Sequence, residues 1–262
     1  MNKFLLMLSM CCLSVAAKAA VQGKEVTYQA GGTTLKGYIA YDDTIKGKRP
    51  AVLVVPEWWG QNEYARKRAR MLAEQGYTAL AVDMYGDGKV ADNPDDARKL
   101  ATEVNTNPPL AQARFEAAMK LLRTHKTVDA GKLAAFGYCF GGGVVLNMAR
   151  MGEDLKGVAS FHGGLGTEHP AQPGKIKAHI ISFSGDADPL IPADKVAAFR
   201  QEMDNAGANY RIVTYPGAKH AFTNPDADEL GKKFKMPIAY DANADKDSWQ
   251  QAMVFLREVF GK

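Results

Sequence analysis

Short runs of consecutive apolar residues alternate along this sequence with longer stretches in which apolar residues recur every three or four positions. A continuous apolar run bounded by Gly, Pro or polar residues is typical of a strand covered on both faces, whereas the longer period is typical of an amphipathic helix. The runs predict strands over 51–55, 78–82, 133–136, 157–161, 178–183 and 210–215. The periodic stretches predict helices over 62–75, 96–104, 108–122, 144–151, 192–205 and 245–260.

Two segments near the start of the chain show a strand pattern of another kind. Residues 24–30 and 35–41 alternate in polarity, and Gly31-Gly32 separates them. This arrangement predicts an antiparallel hairpin at the edge of a sheet. After the hairpin, strands alternate with helices to the end of the chain. The order predicts an α/β fold in which a mostly parallel, doubly wound sheet has helices on both faces, in three layers.

The first residues have a pattern unrelated to this fold. Asn2-Lys3 is a short positive region, residues 4–16 are an apolar core, and Ala17-Lys18-Ala19 is a cleavage site with small residues at its ends. The pattern predicts a secretory signal peptide over 1–19, too short and too weakly flanked for a spanning helix. We therefore expect export, to the periplasm or the medium. Residues 20–262 are expected to form a single domain, because no linker or repeat divides them.

Charge and hydropathy narrow the classes of partner. Removal of residues 1–19 takes away Lys3 and Lys18 and lowers the formal charge from +4 to +2. Basic and acidic residues are interspersed, so the sequence offers no electrostatic track and argues against nucleic-acid and membrane-surface binding. No later apolar run is long enough to span a bilayer. A monomer is the favoured state.

One cysteine stands in a motif with chemical meaning. Cleavage would remove Cys11 and Cys12 and leave Cys139 as the single thiol, without a partner for a disulfide. Gly137 and Gly141 flank Cys139 at two residues on either side, between a predicted strand and a predicted helix. This is the pattern of a nucleophile elbow, with sulfur in place of the commoner serine oxygen. A dinucleotide-binding turn would need Gly at the position of the cysteine, so that interpretation is rejected.

Further polar residues follow predicted strands. Because ligands bind at the carboxyl ends of the strands in such a sheet, we expect Cys139, Asp188 and His220 to meet there. Nucleophile, acid and histidine in this order are the arrangement of an α/β-hydrolase sheet, in which the imidazole takes the nucleophile's proton and the carboxylate holds the imidazole. Asp186 is the alternative acid, and His162 is the alternative base. No histidine pair has metal-ligand spacing, and neither a metal nor a cofactor is predicted.

The segment at residues 56–60, Pro-Glu-Trp-Trp-Gly, follows the strand that supplies the second oxyanion-hole amide in this architecture. Glu57 is unexpected at this place, because an anion opposes the negative charge that develops in the transition state. From the physics alone, an exposed carboxylate at a helix start is the alternative interpretation.

The chain resembles the dienelactone hydrolase family, cysteine hydrolases of the α/β-hydrolase fold. Five segments spread over nearly the whole chain carry the resemblance: Pro56-Glu57-Trp58-Trp59-Gly60, Asp83-Met84-Tyr85-Gly86, Gly137-Tyr138-Cys139-Phe140-Gly141-Gly142, Gly185-Asp186-Ala187-Asp188-Pro189 and Gly217-Ala218-Lys219-His220-Ala221-Phe222. The resemblance implies Cys139 as the nucleophile, His220 as the base and Asp188 as the orienting acid.

The resemblance also assigns roles around the nucleophile. It implies that Glu57 pairs with the resting thiol and helps to release a thiolate when substrate enters. It further implies that the backbone amides of Trp58 and Phe140 form the oxyanion hole. The sequence departs from the family at residues that bind the substrate. Family members of the chlorocatechol pathway bind the lactone's carboxylate with arginines, one of them shortly after the catalytic histidine, where this chain has Asn224.

The missing arginine bears on specificity, because a bidentate clamp is what recognises a carboxylate. Dienelactone is therefore not the expected substrate. The hydrolytic chemistry of the family is expected to be retained. The residues predicted to contact the substrate are Tyr85, His162 and Asn224. We expect an exported enzyme that hydrolyses small carboxylic esters or lactones through an acyl-cysteine on Cys139. The alternative is a non-catalytic small-molecule binding module on a hydrolase scaffold, and a thiol-redox role comes third, since no resolving cysteine remains.

Overall fold

The computed structural model describes residues 21–261, which contain eight strands and seven helices. The strands are β1 (Val21–Ala30), β2 (Thr33–Asp42), β3 (Arg49–Val55), β4 (Thr78–Ala81), β5 (Val128–Tyr138), β6 (Gly157–Phe161), β7 (His179–Gly185) and β8 (Tyr210–Tyr215). The helices are α1 (Glu63–Glu74), α2 (Pro94–Asn105), α3 (Pro108–Thr124), α4 (Phe140–Met151), α5 (Ala193–Ala206), α6 (Ala227–Phe234) and α7 (Ala242–Phe260).

The strands form one sheet in the order β1-β2-β4-β3-β5-β6-β7-β8. β1 and β2 are an antiparallel hairpin, and β2 is antiparallel to β4. All pairs from β4 to β8 are parallel. The predicted fold, a mostly parallel sheet with an antiparallel hairpin at its N-terminal edge, is confirmed. The carboxyl ends of the parallel strands consequently lie along one edge, where the loops that follow them converge.

Two apolar cores separate the sheet from its helices, one on each face. Buried residues of α2, α3, α4 and α5 pack on one face, among them Phe115 and Phe199. Buried residues of α1 and α7, such as Leu72 and Leu256, pack on the other. Helix ends follow local sequence signals. Asn62 caps α1 by accepting a hydrogen bond from the Ala65 amide, and Gly152 ends α4 in the left-handed conformation.

Two helical predictions need correction. The segment Ala227–Phe234, interpreted from the sequence as loop, is α6; it is only eight residues long and contains Gly231, a poor helix former. Helix α4 begins at Phe140 rather than at residue 144. This start was not predicted from the sequence, because glycines 141–143 are poor helix formers. Gly141 and Gly142 are needed there, since a Cβ on either would overlap neighbouring backbone.

No helix within residues 21–261 is both long and apolar enough to cross a bilayer. The signal peptide predicted over 1–19 lies outside the described residues. Cleavage and export accordingly stay predictions.

Candidate active site

Cys139 lies on a strained turn between β5 and α4. Its φ of 53° and ψ of −116° are values that residues with a side chain rarely adopt. The turn is tight, because a Cβ on Gly137 would overlap the carbonyl of Gly141, and a Cβ on Gly141 would overlap the carbonyl of Val55. The two glycines of the motif are thus required by packing. The turn leaves the thiol partly exposed at the carboxyl edge of the sheet.

The structure brings Cys139, His220 and Asp188 together at this edge. Nε2 of His220 lies 3.1 Å from Sγ of Cys139, and Nδ1 of His220 lies 2.7 Å from Oδ2 of Asp188. Burial lowers the pKa of His220, but the electrostatic interaction with Cys139 and the hydrogen bond to Asp188 outweigh burial and raise this pKa above its ordinary value. The imidazole is therefore placed to accept the thiol proton while the carboxylate holds its ring.

Asp186, the alternative acid, is placed elsewhere. Its Oδ1 accepts a 2.5 Å hydrogen bond from the Gly217 amide, and the residue is exposed. Asp186 thereby ties the loop after β7 to the loop after β8, while Asp188 is buried against His220. Of the two carboxylates in this loop, Asp188 is the one that contacts the imidazole.

His162 lies beneath Cys139 and does not line the cleft. It is fully buried, and its Nδ1 accepts a 3.1 Å hydrogen bond from the backbone amide of Cys139. Its Nε2 lies 2.7 Å from Oγ1 of Thr223. Burial, together with the charges of His220 and Arg68, holds the pKa of His162 well below its ordinary value. The two roles predicted for His162, alternative base and substrate contact, are corrected: both ring nitrogens are engaged inside the protein.

Glu57 is buried, so the expectation of an exposed helix-start carboxylate is wrong. The pairing of Glu57 with the thiol is also not observed. Its Oε2 accepts a 2.7 Å hydrogen bond from Nδ2 of Asn224, and the thiol faces His220 instead. Burial raises the pKa of Glu57 to about 7, although the Asn224 hydrogen bond acts to lower it. The hydrogen bond from the Asn224 side chain stabilises this carboxyl group, because a buried charge without a partner is costly.

Asn224 and Tyr85 therefore serve the protein interior rather than the cleft. Asn224 is buried against Glu57. Tyr85 is buried too, and its hydroxyl donates a 2.9 Å hydrogen bond to the carbonyl of Trp58. The predicted substrate contacts of both residues are corrected, since neither side chain lines the cleft. Sequence spacing showed that these residues follow strands, but could not show which way they point.

The backbone amides of Trp58 and Phe140, the predicted oxyanion-hole donors, belong to two segments that are joined next to Cys139. Phe140 is the first residue of α4, and Trp58 lies in the loop after β3. Within residues 21–261, neither amide donates a hydrogen bond to a backbone carbonyl. The neighbouring Gly141 amide, by contrast, is bonded to the carbonyl of Pro56, which fixes the two segments against each other. Two unengaged donors beside a nucleophile are the arrangement that an oxyanion requires.

A cleft of about 1050 Å³ opens beside the thiol. Its lining includes Cys139 and His220, together with Phe140 and Leu190. The cleft continues along α4 between the junction of α2 and α3 on one side and residues 164–175 on the other. No group of three or more His, Cys, Asp or Glu side chains in the described part of the chain is arranged to hold a metal ion.

The sequence did not predict a buried hydrogen-bond network that reaches Cys139 through His162. Thr223 Oγ1 bridges His162 to the Tyr64 hydroxyl at 2.6 Å, and Nε of Arg68 donates to that hydroxyl at 3.2 Å. Arg68 also donates to Asp245 at 2.6 Å and lies against the ring of Tyr64. Except for the contact between Tyr64 and Arg68, which are four residues apart on α1, these contacts join residues far apart in the chain, so no local spacing predicts them. The signal in the sequence was the polar pair Thr223-Asn224 directly after the apolar pair Ala221-Phe222.

Comparison with known proteins identifies the family of this chain. The sequence model of the dienelactone hydrolase family matches residues 35–260. A putative carboxymethylenebutenolidase of Yersinia pestis is 30% identical over 241 residues, covering 87% of this chain and 85% of that relative. Protein usf of Aquifex pyrophilus is 28% identical over 240 residues, covering 90% of this chain and 98% of that relative.

Solved structures give the same result. A dienelactone hydrolase-like promiscuous phosphotriesterase from metagenomic libraries superposes with a TM-score of 0.84 at 31% identity, over 92% of this chain and 99% of its own. A putative dienelactone hydrolase of Klebsiella pneumoniae has a TM-score of 0.76 at 26% identity, over 90% of this chain and 98% of its own. The chain therefore belongs to the dienelactone hydrolase family and is a hydrolase of the ester- and lactone-cleaving class.

Proposed function

We propose that this enzyme hydrolyses carboxylic esters or lactones with Cys139 as the nucleophile, His220 as the general base and Asp188 as the group that orients His220. One observation carries the proposal: the 3.1 Å contact between Sγ and Nε2 and the 2.7 Å contact between Nδ1 and Oδ2 form an unbroken chain. A thiol becomes a strong nucleophile only as the thiolate, and the imidazole supplies the place for its proton.

In the first half of the reaction, His220 takes the proton of Cys139 and the thiolate attacks the carbonyl carbon. A carbon–sulfur bond forms, and the carbonyl π electrons move to the oxygen. When the tetrahedral intermediate collapses, the carbon–oxygen ester bond breaks and the leaving alkoxide takes the proton from His220. The product of this half is a thioester on Cys139 and an alcohol, or a tethered alcohol when the substrate is a lactone.

In the second half, water occupies the position that the alcohol has left. His220 removes a proton from this water as its oxygen attacks the thioester carbon, and the carbon–sulfur bond then breaks. The carboxylic acid leaves, and the sulfur recovers its proton from His220. Asp188 holds Nδ1 throughout and stabilises the imidazolium that forms in each half.

The negative charge on the carbonyl oxygen needs donors in both halves. The amides of Trp58 and Phe140 are the proposed oxyanion hole, because the Gly141–Pro56 hydrogen bond joins their two segments next to Cys139 and neither amide donates to a backbone carbonyl. Removing one such donor typically costs about 10²–10³ in kcat. The hydroxyl of Tyr85 supports this arrangement by holding the Trp58 carbonyl at 2.9 Å.

The test is hydrolysis of an aryl ester by the wild type and by the variants Cys139→Ala and His220→Ala. We expect both variants to lose at least about 10³-fold in kcat/KM, and intact-mass measurement of the wild type under rapid quench to show an acyl group on Cys139. Equal hydrolysis by all three proteins would refute the mechanism. Selective alkylation of Cys139 without any ester turnover would instead support a non-catalytic binding module.

Export of the enzyme is a separate proposal, supported by the sequence of residues 1–19 alone. N-terminal sequencing of protein recovered from the periplasm or medium of an expressing bacterium tests it. We expect a mature chain that begins at Ala20. Recovery of the uncleaved chain in the cytosol alone would contradict export without touching the hydrolase mechanism.

A further inference from the structure

The cleft beside Cys139 extends far beyond the reacting atoms. Helix α4 starts next to the nucleophile, and the cleft is lined by its residues from Phe140 to Met151. Twelve helical residues span about 18 Å. A small ester bound at Cys139 would fill only the near end of a cleft of this length, and the remaining volume lies along the helix.

One face of α4 forms the floor of this cleft, which we call the α4 groove. Gly143, Asn147 and Met151 are the partly exposed residues of that face and follow each other at four-residue intervals. Val144 and Met148 lie beside them and also line the groove. The floor is therefore mostly apolar, and Gly143, which has no side chain, leaves it open next to the nucleophile.

The walls of the groove combine apolar and polar residues: Asn105 and Thr106 lie beside the apolar residues of one wall, and the opposite wall carries Thr167, Glu168, His169 and Gln172. Val104 and Ala111, from α2 and α3, lie on one side. Leu190 and Ile191 line the part close to Cys139, and Leu190 is 60% exposed. An exposed leucine at the mouth of an active site offers apolar surface that a substrate covers when it binds.

The charged residue on the floor is neutralised within the protein. Nε and Nη2 of Arg150 each donate a 2.8 Å hydrogen bond to a different carboxylate oxygen of Glu202, and Nη2 also donates at 2.7 Å to the carbonyl of Leu165. This guanidinium is not available to an anionic substrate. Lys175 lines only the far, exposed end, beside the last turn of α4.

We propose that this enzyme acts on esters or lactones that carry a long, uncharged and mainly apolar arm, and that the arm lies in the α4 groove. The proposal rests on the proposed function and names the substrate class of the same site. The α4 groove has no free guanidinium that could bind the carboxylate of a compact substrate. Such a substrate would also leave most of the groove empty.

The first test is a series of para-nitrophenyl esters from acetate through butyrate and hexanoate to octanoate, each rate divided by that of uncatalysed hydrolysis. Each methylene moved from water into the groove raises kcat/KM by up to about fourfold, so we expect octanoate to exceed acetate by at least about tenfold. A parallel series of acetate esters of increasingly long alcohols tests whether the arm belongs to the alcohol part of the ester instead of the acyl part. Flat or falling profiles in both series would overturn the proposal.

A matched pair of variants locates the arm. Asn147 is half-buried on the groove floor, and its side chain accepts a hydrogen bond from Arg150 that Asn147→Ala and Asn147→Trp both lose. Only the tryptophan fills the groove. We expect Asn147→Trp to lower the octanoate-to-acetate ratio at least about fivefold and Asn147→Ala to keep it. A length preference that survives Asn147→Trp would place the arm elsewhere and refute the assignment.

Failure of this proposal is distinguishable from failure of the mechanism. If Cys139→Ala abolishes acetate-ester hydrolysis while chain length has no effect, the mechanism stands and the groove assignment falls.

A terminal carboxylate on the octanoyl arm gives a further comparison. We expect the charged arm to lose at least about tenfold in kcat/KM relative to the neutral arm, and equal rates would contradict an uncharged-arm preference.

Discussion

The backbone amide of Cys139 donates a hydrogen bond to Nδ1 of His162 at 3.1 Å, which ties the strained elbow to a fully buried imidazole. Because Nδ1 must accept this bond, the ring proton of the neutral His162 is on Nε2 and points to Thr223 Oγ1, 2.7 Å away. The same amide also bonds to the carbonyl of Phe161 at 3.0 Å. The elbow is therefore anchored to the end of β6 by two acceptors.

This anchor predicts that His162 acts as a positioning residue. His162→Leu removes the acceptor, and we expect kcat for an aryl ester to fall about tenfold with little change in KM, since His162 does not line the cleft. His162→Asn can place its side-chain oxygen near the position of Nδ1, so it should recover most of kcat. Steady-state kinetics of both variants, with thermal unfolding recorded alongside, checks the prediction. Equal kcat values for the two variants would contradict it.

The sequence alone was sufficient for the fold and for the residues that converge on the thiol. Parallel strands end at one edge, so the positions of Cys139, Asp188 and His220 after three strands were enough to predict that they meet. The directions of Tyr85 and Asn224 were not predictable in this way. Whether a loop side chain faces a cleft or the interior depends on packing with distant segments, such as the contact of Asn224 with Glu57, 167 positions apart in the chain.

A second prediction separates the two carboxylates of one loop. Asp188→Asn would keep the shape of the side chain but lose the charge that stabilises the imidazolium of His220, so we expect kcat/KM to fall about 10²–10⁴-fold. Asp186→Asn is the matched control, because its amide oxygen can still accept from Gly217 and the residue is exposed. Its kcat/KM should stay within about twofold of the wild type. The reverse ranking would make Asp186 the orienting acid.

A third prediction concerns pH and the stability contributed by Glu57. Burial raises the pKa of Glu57 from 4.5 to about 7 in the folded protein. Between these two values the folded state holds a proton that the unfolded state has lost, so stability falls as pH rises. The full loss is on the order of 3 kcal/mol, complete above the folded pKa and absent below the unfolded one.

Glu57→Gln tests this linkage, since the variant carries no titrating group at that position. Urea unfolding from pH 4.5 to pH 8 should show the wild type losing stability relative to Glu57→Gln across the window from 4.5 to about 7. Glu229→Gln, at an exposed position in the first turn of α6, is the control and should follow the wild type. Parallel curves for wild type and Glu57→Gln would show that Glu57 does not bind its proton more tightly in the folded state.

The last prediction concerns two glycines of the same elbow that should respond with opposite sign. A Cβ on Gly137 would overlap the carbonyl of Gly141, where backbone meets backbone and cannot yield, so Gly137→Ala should destabilise the protein by about 3 kcal/mol. A Cβ on Gly143 meets nothing closer than 3.5 Å. Since Gly143 lies inside α4, Gly143→Ala should stabilise the helix by about 0.5–1 kcal/mol. Urea unfolding of both variants measures the two changes. Loss of stability in both variants would contradict the prediction. It would mean that an added Cβ is not tolerated at either glycine, rather than only where the strand meets the helix.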